Sequence, residues 1–268
     1  MIFYPFTTFP SVILIDKYGI QYGVGFGMIL TTTGFWLRCL ANISFTYAVV
    51  GQTIMAIGMS FILNAPTRIS AKWFPIKERI ISTSFGVYSG TVGMALGCFI
   101  PAVFFSNTDT NDPELAKEHY LNMSYFLAII STMTLIPILI FFRNKPEIET
   151  NDGVENYERQ DSIETLSLWK SFKILIKDRD WTLSSIAHGI SLAYSYSFTI
   201  FIPSMITIYG FTSHDASYLG TSFQISGLAS GVVCSTFLSY KGPSYFKITS
   251  QVLLSLMIIS NTHFIYLI

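Results

Sequence analysis

Long apolar stretches alternate with short polar ones along this chain, and most of the apolar stretches are long enough to cross a lipid bilayer. A membrane-spanning helix needs about 20 consecutive, mainly apolar residues. Eight stretches approach or exceed this length: 1–15, 20–41, 46–67, 80–105, 120–142, 181–209, 216–239 and 246–268. The pattern predicts an all-α membrane protein with about eight transmembrane helices.

The polar loops between these stretches alternate in charge, which predicts the orientation of the chain. Every Lys and Arg residue except Arg38 and Lys117 falls in, or at the edge of, the loops that follow the first, third, fifth and seventh stretches. Basic residues accumulate on the cytoplasmic side of membrane proteins. We therefore expect those four loops to be cytoplasmic.

The composition agrees with a membrane protein and excludes several other classes. Only 12% of the residues are charged and 51% are hydrophobic, whereas soluble domains carry about 25% charged residues. Cys39, Cys98 and Cys234 lie far apart in apolar stretches, without the spacing of metal ligands. No phosphate-binding or hydrolase motif is present. We expect no enzyme activity, no metal, no cofactor and no nucleic-acid partner.

One long polar segment, 144–179, divides the chain. Its first half is acidic and is typical of a flexible linker. Its second half predicts an amphipathic helix on the cytoplasmic membrane surface, with these alternating apolar and basic residues: Ile163, Leu166, Trp169, Lys170, Phe172, Lys173, Ile176 and Lys177. We predict an N-terminal bundle of five helices over 1–143, a linker over 144–179, and three helices of a C-terminal bundle over 180–268.

Small and polar residues inside the apolar stretches predict local contacts. Small residues recur in the fourth stretch, at Gly86, Ser89, Gly90, Gly93, Ala95 and Gly97. Such a stripe lets two helix backbones approach closely in lipid. Asn64 precedes Pro66, and we expect its side chain to bond a carbonyl group that the proline leaves without a donor.

Several motifs carry a family resemblance. Residues 15–19 (IDKYG) resemble the loop after the second helix of the major facilitator superfamily. Residues 61–69 (FILNAPTRI), 73–74 (WF) and 78–79 (ER) resemble the feline leukaemia virus subgroup C receptor family. In that family the next helix begins with Gly-Val-aromatic and ends with Gly-x-x-x-Gly-x-x-x-Pro, which residues 86–88 and 93–101 match. The resemblance is close over most of 1–145 and looser over 180–247.

The resemblance implies a fold and a function. The superfamily has twelve helices, in two six-helix bundles around a central cavity. On that count this chain is truncated: it holds helices 2–9 and lacks helix 1 and helices 10–12, either through a partial gene model or as a genuine short form. Family members are facilitators of choline and ethanolamine, and haem export has also been ascribed to them. We expect transport of a small organic solute by alternating access. A haem exporter and a transport-inactive receptor or scaffold are the alternatives.

The resemblance also implies candidate solute-binding residues. A quaternary ammonium group binds aromatic faces because it has no hydrogen-bond donor. The family's tyrosine on its seventh helix matches Tyr196, and a cavity glutamine on its fifth helix falls on Thr91, which is a departure from the pattern. Tyr88 lies three residues before Thr91 and shares its helix face. Packing between helices is the competing interpretation of Tyr88 and Thr91.

The cytoplasmic ends carry candidate gating residues. Asp16 and Lys17 are expected to gate transport through a salt bridge, with simple snorkelling at a helix end as the alternative. The expected charge network consists of Asp16, Lys17, Arg68, Lys72, Glu78 and Arg79. Simple topology signalling by the basic residues is the alternative for the rest of this network.

The predicted setting follows from the same pattern. No acidic residue lies deep in an apolar stretch, which favours uniport over proton coupling. The expected partners are a small solute and the lipid bilayer, without oligomerisation. The plasma membrane is the expected location, and an organelle membrane is the alternative.

Overall fold

The computed structural model describes residues 3–75, 78–105, 112–144, 168–242 and 245–267. These ranges contain helices and turns, and no strand. The predicted linker residues 145–167 lie outside the described residues. The helices are α1 Phe3–Tyr18, α2 Ile20–Cys39, α3 Phe45–Leu63, α4 Ala65–Trp73, α5 Arg79–Phe104, α6 Pro113–Phe141, α7 Leu168–Lys177, α8 Arg179–Thr207, α9 Ser213–Lys241 and α10 Phe246–Leu267.

Each of the eight predicted stretches forms helix, and the differences lie at the helix ends. The stretch 46–67 is divided between α3 and α4 at Asn64, where Pro66 occupies the first turn of the new helix. A proline fits there because the first-turn N–H groups have no partner within a helix. The helix α6 begins at Pro113, seven residues before the predicted apolar stretch. It does so because Asp112 accepts hydrogen bonds from the Glu114 and Leu115 amides.

Four segments among the described residues are long and apolar enough to cross a membrane, judged by length and composition. They are Ile20–Asn42, Phe45–Trp73, Ile81–Phe104 and Glu114–Phe141. A shorter apolar segment spans Lys247–Ile259. The helix α1 has only 16 residues, and α8 and α9 have 29 residues each with many serines among the apolar side chains.

The closest helix packing lies between α2 and α3 and rests on two pairs of glycines. A Cβ atom on Gly34 would lie 2.6 Å from the Gly51 carbonyl oxygen, and one on Gly58 would lie 2.6 Å from the Gly27 carbonyl oxygen. The two glycines on each helix are seven residues apart, so they share a face two turns apart. The antiparallel helices therefore pack backbone to backbone at two levels.

The predicted close approach along the α5 stripe is wrong at three of its four glycines. A Cβ atom on Gly90, Gly93 or Gly97 would meet no atom within 4 Å. Gly86 is different, because a Cβ atom there would lie 2.6 Å from the Pro66 Cβ atom on α4. Spacing of small residues permits a close contact, but a facing helix in register is also required.

Polar side chains join the helices around α2 and α3. Thr32 on α2 bonds Ser131 on α6 through their hydroxyl oxygens, 2.8 Å apart, and the Trp36 Nε1 donates to the Thr132 hydroxyl at 3.1 Å. At the end of the bundle where α1 is followed by α2, a small apolar cluster packs α1, α2 and α4 together through Ile15, Ile20, Val24 and Ala65.

The helix α9 connects the two parts of the chain. On one side it packs along α5, with the Phe99 and Tyr218 rings 6.0 Å apart. On the other side it contacts α8, with the Phe198 and Phe223 rings 5.0 Å apart. Thus α5, which precedes the linker, packs against α9, which follows it.

Candidate solute site and cytoplasmic charge pair

The C-terminal end of α1 carries an ion pair with α4. The Arg68 NH1 nitrogen lies 2.7 Å from Asp16 Oδ1 and its NH2 nitrogen lies 3.0 Å from Oδ2, so the pair is bidentate. The side chains are 38% and 41% exposed. Burial of the neighbouring Ile15 and Ala65 in one apolar cluster brings the two helices together.

The other predicted members of the charge network have different contacts. Lys17 lies 5.4 Å from the centroid of the Tyr18 ring. The Arg79 guanidinium donates to the Ala71 and Phe74 carbonyl oxygens at the end of α4, at 2.9 and 3.2 Å. Basic groups favour helix C-termini because the last carbonyls there have no helical donor. Arg79 therefore caps α4.

Lys72 and Glu78 complete the predicted network. Lys72 lies on α4, one turn after Arg68. Glu78 immediately precedes α5 and makes no ion pair with a described residue. Within the described ranges, the structure thus brings Asp16 and Arg68 together but joins neither of them to Glu78 or Arg79.

Tyr88 lies between α5 and α9. Its hydroxyl group donates to the Gly231 carbonyl oxygen at 2.5 Å. A Cβ atom on Gly231 would lie 2.9 Å from the tyrosine ring, so glycine leaves room for it. The Tyr88 side chain also lines a cavity of about 440 Å³ together with Arg79, Thr83, Ser84 and Val87.

The other two predicted solute-binding residues lie on α5 and α8. Thr91 and Tyr196 are both half-buried. The rings of Tyr194 and Phe198, on either side of Tyr196 in sequence, stack with their centroids 6.0 Å apart. Tyr88 and Thr91 share α5, and no hydrogen bond or ring contact between described residues joins either to Tyr196.

Several residues that sequence reasoning missed hold these helices in place. Gln224 on α9 is 7% exposed, and its amide nitrogen lies 3.3 Å from the Thr199 hydroxyl on α8. A single amide in an apolar stretch is the signal that identifies it, because a buried amide requires a partner. Gly231 left no such signal, because its contribution is a main-chain carbonyl.

A second missed contact lies at the turn between α1 and α2. The Asn144 side chain, just after α6, accepts a hydrogen bond from the Gln21 amide at 2.8 Å. Gly19 forms the turn with φ of +96°, and a Cβ atom there would lie 2.5 Å from Asn144 Oδ1. Asn144 therefore caps the N-terminus of α2 from the segment that follows α6.

The sequence profile of the Major Facilitator Superfamily matches residues 1–266. The chain belongs to the major facilitator superfamily. It is therefore a multi-pass helical membrane protein. Among the described residues of this superfamily member, no three His, Cys, Asp or Glu side chains are placed to hold a metal ion.

Several relatives carry names that state a solute. The chain is 27% identical to choline/ethanolamine transporter flvcr2b of Danio rerio over 93% of its own length and 51% of the relative's. It is 27% identical to choline/ethanolamine transporter FLVCR1 of Felis catus, over 94% and 44%. It is 27% identical to choline/ethanolamine transporter FLVCR2 of Homo sapiens, over 85% and 44%. The chain therefore spans about half the length of these relatives. The expected resemblance to the feline leukaemia virus subgroup C receptor family is confirmed.

Proposed function

We propose that this protein transports a small organic solute across the membrane by alternating access, and that the solute is an amine resembling choline or ethanolamine. Membership of the major facilitator superfamily supports transport. The names of the similar proteins support the solute class. The direct packing of α5 on α9 is the structural observation that carries the proposal, because alternating access requires two parts of a transporter to meet at a movable seam.

The two moving parts are the bundle of residues 1–143 and the helices of 180–268, with 144–179 as the linker. Their seam includes the hydrogen bond from Tyr88 to Gly231. The Asp16–Arg68 pair lies at the cytoplasmic end of the first part, where we propose that it opens as the parts rock. Lys17, Lys72, Glu78 and Arg79 form the charged surroundings of this gate in the proposal.

The proposed solute site is formed by Tyr88, Thr91 and Tyr196. Aromatic rings suit a quaternary ammonium because the negative face of the ring attracts the cation. The Tyr88 hydroxyl is engaged by Gly231, so its ring is the group that would meet the solute. Arg79 lines the same cavity and would repel an amine, which favours a solute position towards Thr91.

Uptake of labelled choline by the 268-residue chain in lipid vesicles tests this proposal. Cation–π contacts contribute about 0.5–2 kcal/mol, so Tyr196→Ala is expected to lower uptake about 2- to 30-fold at subsaturating choline. Tyr196→Phe keeps the ring and should retain most of the uptake. Tyr209→Ala is the matched control, because Tyr209 is 60% exposed at the end of α8.

Two outcomes contradict the proposal at different levels. Normal uptake by Tyr196→Ala would remove Tyr196 from the site while leaving transport intact. Uptake by the unaltered chain no faster than by empty vesicles would favour a transport-inactive receptor or scaffold.

We also propose uniport without proton coupling and a location in the plasma membrane. Uptake that stays constant when a proton gradient is collapsed would agree with the first of these.

A further inference from the structure

The short helix α7 presents an apolar face and a basic face. Phe172, Leu175 and Ile176 recur at the three- and four-residue spacing that places side chains on one side of a helix. Lys173 and Lys177 are four residues apart and share a different side. This arrangement is typical of helices that lie in the plane of a membrane surface.

The position of α7 is fixed by its junction with α8. Asp178 alone separates the two helices, and its carboxylate accepts hydrogen bonds from the Asp180 and Trp181 amides at 2.9 and 3.2 Å. The Thr182 hydroxyl, in the first turn of α8, donates to the Ile176 carbonyl oxygen at 3.0 Å. The junction is therefore a bonded corner, and α7 lies at the level where α8 begins.

Leu175 and Ile176, on the apolar face of α7, are exposed among the described residues, whereas Phe172 on the same face contacts α1. The Phe172 ring makes an edge contact with the Phe9 ring of α1, with centroids 6.2 Å apart. Leu175 and Ile176 are 39% and 50% exposed. Phe9 lies nine residues before the end of α1, which corresponds to about 13 Å along the helix axis. The Phe172 contact thus joins the apolar face of α7 to the apolar side of α1.

We propose that α7 is a docking surface for the anionic lipids of the cytoplasmic leaflet. Leu175 and Ile176 enter the boundary of the acyl chains, and Lys173 and Lys177 meet the phosphate and carboxylate groups of the headgroups. We choose anionic lipids as the partner because α7 is basic and is predicted to lie on the cytoplasmic side. Basic residues near the cytoplasmic leaflet are attracted by its negative surface potential. The proposal is independent of the transported solute.

Lipid retention by the full 268-residue chain tests the basic face. The chain is extracted from vesicles of phosphatidylcholine with one quarter phosphatidylserine, and both lipids that remain bound are quantified by mass spectrometry. Each lysine near an anionic surface contributes a factor of about five to binding, so Lys173→Gln with Lys177→Gln should lower the phosphatidylserine-to-phosphatidylcholine ratio of the retained lipids towards that of the vesicles. The matched control is Lys241→Gln with Lys247→Gln, which removes the same charge from the same side of the membrane, away from α7. Equal losses in both pairs, or no loss in the α7 pair, would overturn the proposal.

The apolar face is tested separately, by the depth of its side chains in the membrane. A nitroxide spin label is attached at Leu175→Cys, and separately at Lys177→Cys, in a chain whose cysteines Cys39, Cys98 and Cys234 are replaced by serine or alanine. In phosphatidylserine-containing nanodiscs, relaxation of the label at 175 should respond more to oxygen than to a water-soluble nickel complex, and the label at 177 should do the reverse. A label at 175 that responds chiefly to nickel would place this face in water or in a protein interface and overturn the proposal.

Discussion

Buried hydroxyl and amide side chains make contacts in the structure that the sequence did not predict. Ser11 and Ser60 are fully buried, and Asn64 donates to the Ser11 hydroxyl at 2.8 Å and to the Ser60 carbonyl at 2.9 Å. The sequence predicts that the Asn64 side chain bonds the carbonyl group four residues before Pro66, which the proline leaves without a donor. That carbonyl, on Ile62, instead accepts from the backbone amide of Asn64. The Asn64 side chain is therefore free to join α3 to α1.

The Asp16–Arg68 pair should matter more to transport than to stability. Exposed ion pairs contribute about 0.2–1 kcal/mol, and both partners are more than one third exposed. Asp16→Asn should therefore change thermal unfolding in detergent only slightly, while choline uptake falls because the proposed gate no longer closes. The swapped pair Asp16→Arg with Arg68→Asp should recover part of the uptake. A swapped chain no better than Asp16→Asn would count against a gating pair.

Asp215 is expected to make the N-terminal end of α9 sensitive to acid. Hydrogen bonds from the Thr212 amide and hydroxyl to its carboxylate lower the pKa of Asp215. A lowered folded-state pKa gives stability that is present above the ordinary carboxyl pKa of about 3.9 and is lost as the pH falls through the folded value.

The corresponding experiment compares thermal unfolding of Asp215→Ala and the unaltered chain between pH 3 and pH 8. The variant should unfold at a lower temperature at neutral pH, and the difference should narrow below about pH 4. Glu118→Ala removes an exposed acidic residue from α6 without touching this cap and serves as the control. A difference that stays constant across the whole range would contradict the charge-based explanation.

At the scale of helices, the positions of the spans could be predicted from the sequence, but their partners could not. The length of an apolar stretch is read directly from the residues, and all eight stretches are helical. The contact of Gly34 with Gly51 depends on the register between two helices. That register cannot be predicted from either stretch alone. Conversely, the α5 stripe has suitable small residues but no facing backbone at Gly90, Gly93 and Gly97.

Glycine-to-alanine substitutions should have different effects on the α2–α3 contact and on the open side of α5. A Cβ atom on Gly34 would lie 2.3 Å from the Met55 Cγ atom and 2.6 Å from the Gly51 carbonyl oxygen. Because the second atom is backbone, Gly34→Ala should separate α2 from α3 and cost about 1–3 kcal/mol. Gly93→Ala meets no atom within 4 Å and should leave the unfolding temperature unchanged or raise it slightly. Equal destabilisation by both variants would show that helix flexibility, rather than packing, governs the effect.

At the scale of the whole molecule, α9 determines how the two parts of the chain meet. Family membership could be predicted from motifs, and the helical stretches from hydropathy. The seam could not, because its acceptor at Gly231 is a backbone carbonyl and its partner Tyr88 is 143 residues away. The proposed grouping of Tyr88, Thr91 and Tyr196 in one solute site stays a prediction.

A cross-link across this seam should stop transport. A Cβ atom on Gly220 would lie 3.5 Å from the Cys98 Cβ atom, within the range of about 3.5–4.5 Å found in disulfides. Gly220→Cys should therefore form a disulfide with Cys98 on oxidation and abolish choline uptake, and reduction should restore it. Gly227→Cys, on the same helix with no atom within 4 Å of its Cβ position, should form no such bond. Failure of Cys98 to pair with position 220 would contradict the packing of α5 on α9.

The hydrogen bond between Tyr88 and Gly231 also makes the evolution of the seam one-sided. Every amino acid carries a main-chain carbonyl, so no codon change at position 231 can delete the acceptor, and a larger residue there only crowds the tyrosine ring. At position 88, by contrast, a single-nucleotide change from tyrosine to phenylalanine removes the hydroxyl group and keeps the ring. Substitutions that strengthen or weaken the contact between the two parts are therefore expected at position 88 on α5. Position 231 on α9 is expected to stay under selection for a small residue.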